Sequence, residues 1–294
     1  MSYEVEHLVE VKSLLGEGPL WNSAEQALYW VDIEGNCFFR YYPASGKHER
    51  FEAGTKIGCL GLRQNGGLAM LTKQGLVFWD WTSQKLEFVS NPNADKPYMR
   101  FNDGKVDPQG RFWGGAMYDG NPEVDVREGS LYRFESDGSY QEMQTKIAIP
   151  NGLGWSLDQK TMYHTDSPRH TIYAYDYNAE SGDITNRRDF IHNPEMPGVP
   201  DGLAIDSEGY IWGARWGGWR VTRYTPTGEI DREIEFPVQQ VTCCIFGGAN
   251  LDELYITSAR ENYTPELAQQ QPLGGDLFRV KVGIRGLETN KFAG

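Results

Sequence analysis

A short phrase recurs along this chain: an acid or amide just before a glycine, then a strand, a tight turn and a second strand. It reads Glu17-Gly18-Pro19-Leu20-Trp21, then Asn102-Asp103-Gly104-Lys105-Val106. It returns as Asn151-Gly152-Leu153-Gly154-Trp155 and as Asp201-Gly202-Leu203-Ala204-Ile205. A strand–turn–strand unit cannot bury its apolar face alone, so such units must stack. A period of roughly 40–50 residues is the range of propeller blades. In a closed ring, equivalent positions converge on one axis, which predicts that these oxygen-bearing side chains meet there.

Six units can be laid out, and alternation rather than helical periodicity runs through them, as in Leu28-Tyr29-Trp30-Val31-Asp32. Turns at 23–26, 64–67, 107–110, 157–160, 206–209 and 250–253 precede second strands at 28–31, 68–72, 112–116, 162–165, 211–214 and 254–257. Third strands are expected at 37–42, 75–81, 130–134, 171–177, 220–225 and 277–282. The 34 glycines and 13% aromatics suit short strands, tight turns and aromatic packing between sheets. The expectation is an all-β fold: a six-bladed β-propeller of about four antiparallel strands per blade, one domain over 1–294. Residues 5–11 form a strand with no hairpin partner of their own. They are expected to pair as an outer strand of the last blade, closing the ring and hiding its seam.

Two blades break the phrase, at Ile57-Gly58-Cys59-Leu60 and Thr242-Cys243-Cys244-Ile245. The expected axial site is therefore built by blades one, three, four and five. Any single Asp-Gly or Asn-Gly reads by default as a turn. Pro150 and Pro200 stand before Asn151 and Asp201 in matching register, and that register is what singles these residues out. Carboxylates with an amide carbonyl are hard donors that suit Ca²⁺, Mg²⁺ or Mn²⁺, while Zn²⁺ and Fe²⁺ more often recruit His or Cys. The five histidines form no ligand pair, and His164 reads as packed or turn-bonded. Asp107, Asp158 and Asp206 read as hairpin-turn residues. No Gly-x-Ser-x-Gly, P-loop or dinucleotide fingerprint is present. Arg100, two residues before Asn102 on an extended segment, projects to the same side and can reach a substrate oxygen.

The formal charge of −13 disfavours nucleic acid and anionic membranes as partners. Cys37, Cys59, Cys243 and Cys244 show no Cys-x-x-Cys spacing and are expected to be buried thiols. No apolar run approaches a membrane span. The start, Met1-Ser2-Tyr3-Glu4-Val5, lacks the basic and apolar regions of a signal peptide, so a cytosolic protein is expected. Nothing marks an interface, which suits a monomer or weak homo-oligomer.

Taken in order, these phrases resemble the gluconolactonase / senescence-marker-protein (regucalcin-like) family. Gly110-Arg111-Phe112-Trp113-Gly114-Gly115-Ala116-Met117, Tyr255-Ile256-Thr257-Ser258-Ala259-Arg260 and Gly274-Gly275-Asp276-Leu277-Phe278 extend the match to nearly the whole chain. The resemblance implies a six-bladed propeller with one divalent metal in the axial channel, Ca²⁺ first by ligand type, with Zn, Mn, Mg or Fe as alternatives. Glu17, Asn151 and Asp201 resemble the metal ligands. Arg100 and Asn102 resemble substrate-binding groups, and Asp201 also resembles the proposed general base or acid. Some members carry a Glu after the Met of the third-blade strand. Here the segment is Met117-Tyr118-Asp119-Gly120, so either Asp119 or Tyr118 takes a related sugar-binding role or the sugar contacts differ, which leaves the substrate's identity open but not the reaction class.

The implied activity is metal-assisted hydrolysis of a sugar-acid lactone, a small-molecule substrate, with Asp201 activating water and Asp103 as the fallback base. Trp216 stacks on the sugar or packs within its blade. Two competing readings stand beside this one: phosphotriester or aryl-ester hydrolysis on the same fold, and a calcium-binding propeller without catalysis. A pure cation site has no use for an arginine beside it, so the Arg100–Asn102 pair favours an enzyme.

Overall fold

The computed structural model describes residues 3–119 and 128–294; Met1, Ser2 and Gly120 lie outside them. Six antiparallel sheets are arranged as the blades of a propeller. The inner strands are Gly16–Asn22, Ile57–Arg63, Met99–Val106, Pro150–Trp155, Val199–Ile205 and Val241–Gly247. Each packs against the next and the last against the first, so the ring closes. The expected second and third strands all form, most a residue or two longer or shorter than their patterns suggested.

The burial pattern explains the alternation and its exceptions. Second strands such as Ala27–Asp32 and Leu68–Thr72 are buried at every position, because neighbouring blades cover both their faces. Outer strands such as Lys47–Glu52 are largely exposed and charged. Trp21, Trp30, Trp113 and Trp212 are fully buried, and their large rings fill the wedge between blades.

The N-terminal strand Val5–Val9 pairs antiparallel with Leu277–Lys281 in the last blade, Val5 opposite Val280 and Glu6 opposite Arg279. The ring is closed as expected, but the strand stops at Val9 rather than residue 11. The backbone N–H groups of Val11 and Lys12 donate instead to Asp276 Oδ1, at 3.0 and 3.1 Å. A second closure was not anticipated. Lys291–Phe292 runs parallel to the inner strand of blade two, with Lys291 opposite Leu62, and the Phe292 ring is buried near Phe78 and Phe112.

All six inner strands carry a register shift at the recurring phrase or its counterpart, between Glu17 and Leu20, Ile57 and Cys59, Phe101 and Gly104, Asn151 and Leu153, Pro200 and Leu203, and Val241 and Cys243. A bulge re-aims side chains and sharpens the strand's bend. The phrase is thus a bulge in an inner strand, not a hairpin turn. Its glycines answer to crowding at the axis. A Cβ on Gly152 would lie 2.7 Å from the Asp201 carbonyl oxygen, and one on Gly202 would collide with the Cys243 sulfur.

Asp107 and Asp206 do more than cap hairpins. Asp107 Oδ1 accepts from the Gln109 and Arg111 backbones, while Oδ2 accepts from Trp113 Nε1, Arg111 Nε and Tyr177 Oη. Asp206 repeats the pattern with Glu208, Tyr210, Trp212 and Arg223. Both are fully buried anchors of the blade wedge, whereas Asp158 stays an exposed turn residue.

Candidate metal and catalytic centre

The inner-strand bulges put Glu17, Asp103, Asn151 and Asp201 at the axis, each no more than 7% exposed. Asn151 sits on the strand between those of Asp103 and Asp201. Four polar groups this deep need partners, and the carboxylates find few. Glu17 Oε2 accepts from the Gly18 backbone at 3.0 Å, and Asp103 Oδ1 accepts from Gly104 at 2.7 Å. Asp201 Oδ1 is buried with no hydrogen-bond partner among the described residues.

The electrostatics follow from that crowding. Burial first, then the Asp103 charge, lifts the Glu17 carboxyl to about 8, against smaller lowering by Gly18 N–H and Arg100. Burial, then Glu17 and Asp103, pushes Asp201 well above the carboxylate range. Asp103 is raised by burial, with Lys105 and the Gly104 N–H opposing. Three carboxyls thus share a buried site in which all cannot readily ionise without a compensating cation.

Arg100 and Asn102 are buried beside them. Arg100 Nη1 donates to Asn102 Oδ1 at 2.7 Å and to the Phe101 carbonyl at 3.0 Å. Asn102 Nδ2 donates to Asn151 Oδ1 and to the Pro150 carbonyl, both at 2.9 Å, and Asn151 Nδ2 donates to Ser167 Oγ at 2.8 Å. No described residue accepts a hydrogen bond from Arg100 Nη2. Ser167 opens a short 3-10 turn after blade four's second strand. Its own position carries no phrase, so sequence gave no signal for it.

Asp119 lies at the end of blade three's second strand. Lys56 Nζ is 2.8 Å from its Oδ1, Lys73 Nζ is 2.9 Å from its Oδ2, and Arg100 Nε lies 3.5 Å from Oδ1. Burial alone would raise Asp119, but Lys56, Lys73 and Arg100 together hold it below its usual value. Blade two, which lacks the acid-glycine phrase, therefore reaches the site through two lysines.

Trp216 is partly buried and packs against the core between blades one and two. His164 is fully buried and neither ring nitrogen has a hydrogen-bond partner. Burial first, then Arg187, drops its pKa to about 3, so it packs as a neutral ring and is not turn-bonded. All four cysteines are buried free thiols. Asp103 also borders a cavity of about 310 Å³, lined by residues that follow the phrase, Pro19, Lys105, Trp155 and Ile205 among them, and by Leu287–Asn290 of the C-terminal segment. Neither Arg100 nor Asp119 lines it.

Among the described residues, no group of three His, Cys, Asp or Glu side chains forms a metal-holding set. The residues that could hold a cation are of mixed type: the Glu17 and Asp201 carboxylates and the Asn151 amide oxygen, all buried on the inner strands. An orphaned carboxylate oxygen, like-charge crowding and purely hard donors all suit a divalent ion of the Ca²⁺ or Mg²⁺ type. No helix among the described residues is long and apolar enough to cross a membrane.

Residues 15–260 match the family described as "SMP-30/Gluconolactonase/LRE-like region". The chain is 36% identical to a 6-deoxy-6-sulfogluconolactonase of Pseudomonas putida, over 100% of both chains. It is 35% identical to regucalcin of Xenopus laevis, over 100% of this chain and 99% of the relative. Among solved structures, a calcium-binding regucalcin of Agrobacterium tumefaciens superposes with a TM-score of 0.94 at 28% identity, covering 99% of this chain and 98% of that one. With the family match spanning most of the chain, and full-length relatives above 30% identity, this protein belongs to the SMP-30/gluconolactonase/LRE-like family.

Proposed function

We propose that this protein hydrolyses a sugar-acid lactone to the free aldonic acid, with one divalent metal, Ca²⁺ first by donor type, held by Glu17, Asn151 and Asp201. The observation that carries the reading is a buried, unpartnered carboxylate oxygen, Asp201 Oδ1, on an axis shared with the buried Arg100–Asn102 pair. Relatives named for sulfogluconolactone and sugar lactone hydrolysis support the reaction class.

A divalent cation bound there supplies Lewis-acid polarisation of the lactone carbonyl. The chain supplies the rest. Arg100 presents Nη2 to the ring's exocyclic oxygens, while Nη1 stays fixed on Asn102. The Asp201 carboxylate, through an oxygen not fully committed to the cation, takes a proton from the attacking water, whose oxygen bonds to the carbonyl carbon. The ring C–O bond then breaks, and the same proton passes to the departing ring oxygen, giving a hydroxy acid. Burial and the neighbouring Glu17 and Asp103 charges together strengthen the hold of Asp201 on a proton, and a bound cation would offset them by favouring the ionised form.

Metal-stripped protein is assayed by pH indicator against pentono- and hexonolactones, with Ca²⁺, Mg²⁺, Mn²⁺, Zn²⁺ or Fe²⁺ restored singly. Turnover restored by a metal on at least one lactone is the expected result. Tight metal binding with no lactone turnover, or turnover confined to aryl esters or phosphotriesters, overturns the reading.

At saturating metal, Arg100→Ala is expected to raise KM roughly 30-fold or more with a smaller change in kcat, the loss of about 2 kcal/mol from one charge-assisted hydrogen bond. Steady-state kinetics on the best lactone checks this. An unchanged KM removes Arg100 from substrate binding.

A further inference from the structure

Asn151 can serve as a cation ligand only if its amide oxygen, not its nitrogen, faces the axis. The two ends of a side-chain amide have nearly the same shape, so hydrogen bonding alone decides the orientation. Here a polar chain decides it. The Arg100 guanidinium only donates, so Asn102 must turn its oxygen toward Arg100 Nη1 at 2.7 Å. That leaves Asn102 Nδ2 facing the Pro150 carbonyl and Asn151 Oδ1. Asn151 in turn points its nitrogen at Ser167 Oγ. Its oxygen accepts one hydrogen bond, from Asn102, and keeps a second lone pair for a cation.

Arg100 needs an anchor of its own, because its Nε is buried without a hydrogen-bond partner. Asp119 stands 3.5 Å from that Nε and is itself gripped by Lys56 and Lys73. Lys56 also pairs with Glu34 at 2.8 Å, which ties the cluster to blade one. Each carboxylate oxygen of Asp119 already faces a cation of the protein, so its charge is committed to Lys56, Lys73 and Arg100.

We infer that Asp119 is a positioning residue, not a substrate ligand: with Lys56 and Lys73 it seats Arg100, and through Asn102 this chain, with Ser167 at its other end, holds the Asn151 oxygen toward the metal. The inference rests on the metal reading above. Partners that orient a metal ligand typically matter by 10–100-fold in affinity when removed.

The test is isothermal titration calorimetry of the full-length, metal-stripped protein with Ca²⁺, and separately with Mn²⁺. Asp119→Asn and Ser167→Ala are expected to weaken the metal Kd roughly tenfold. Asp119→Glu, which keeps the charge, should restore most of the loss for Asp119. Thermal melts of the metal-free variants separate a lost fold from a lost ligand orientation, and Lys73→Met provides a second, more exposed break in the clamp. At saturating metal, Asp119→Asn should raise KM more than it lowers kcat, since Arg100 is left loosely seated. Wild-type affinity in both Asp119→Asn and Ser167→Ala overturns the inference while leaving the lactonase reading intact. A wild-type protein that binds neither cation defeats the metal reading and the inference with it.

Discussion

Asp201→Asn is expected to lower kcat about 10³-fold on the best lactone substrate, the usual scale for removing a general acid–base, with the metal-free melting temperature held or raised. The substitution is nearly isosteric, so packing at this buried position survives. What changes is the unpartnered oxygen, which in the amide has no useful basicity, or is replaced by an N–H that cannot take a proton. Because Asp201 is also a proposed ligand, its turnover is measured along a metal titration. Activity that stays low at saturating metal assigns the loss to proton transfer. Glu17→Gln supplies the contrast: it should weaken metal affinity first and regain turnover as metal is added. Asp103→Asn supplies another. Asp103 borders a cavity that neither Arg100 nor Asp119 lines, and its Oδ1 is already bonded to Gly104, so that variant should keep most turnover. Normal kcat in Asp201→Asn with collapse in Asp103→Asn would move the base to Asp103.

The blades were legible because each repeats a local pattern: a polar turn between two alternating strands, at a period in the range of propeller blades. The axial acids were legible for the same reason, since Pro150-Asn151 and Pro200-Asp201 hold matching register. The phrase's cause was not. Asp-Gly and Asn-Gly read by default as turns, yet here they form bulges whose glycines yield space to the adjoining inner strand. That crowding is a tertiary fact with no trace in local propensity. Lys56, Lys73 and Ser167 were illegible for a related reason. They reach Asp119 and Asn151 from outside the repeat's equivalent positions, and a lone lysine or serine carries no period to betray it. Lys291–Phe292 escaped notice because a two-residue parallel strand is too short to show alternation.

Metal-free protein is expected to lose stability as pH rises from about 5 to 8, with the melting temperature falling by roughly 5–10 °C. Burial, and then mutual repulsion, holds Glu17 at about 8 and Asp201 well above its ordinary value, and burial raises Asp103. The cations facing them, Arg100 and Lys105, only partly oppose this. The neighbouring Cys59 and Cys243 thiols are themselves pushed up by burial and add no charge. A carboxyl whose folded pKa lies above its unfolded one binds a proton in the native state that the unfolded chain has already released. Its stabilisation is therefore complete below the unfolded value, near 4, and drains away as pH climbs through the folded value. A saturating divalent cation reverses the argument. It favours the ionised carboxylates, competes better as protons leave, and stabilises the native state by mass action. Differential scanning calorimetry from pH 5 to 8, in chelator and in excess Ca²⁺, should give a falling curve and a flat or rising one. Glu17→Gln should flatten the chelator curve, since it removes one raised carboxyl and the charge that helps to raise Asp201. Parallel wild-type curves with and without Ca²⁺ would mean that the axial acids neither share a proton nor hold a cation.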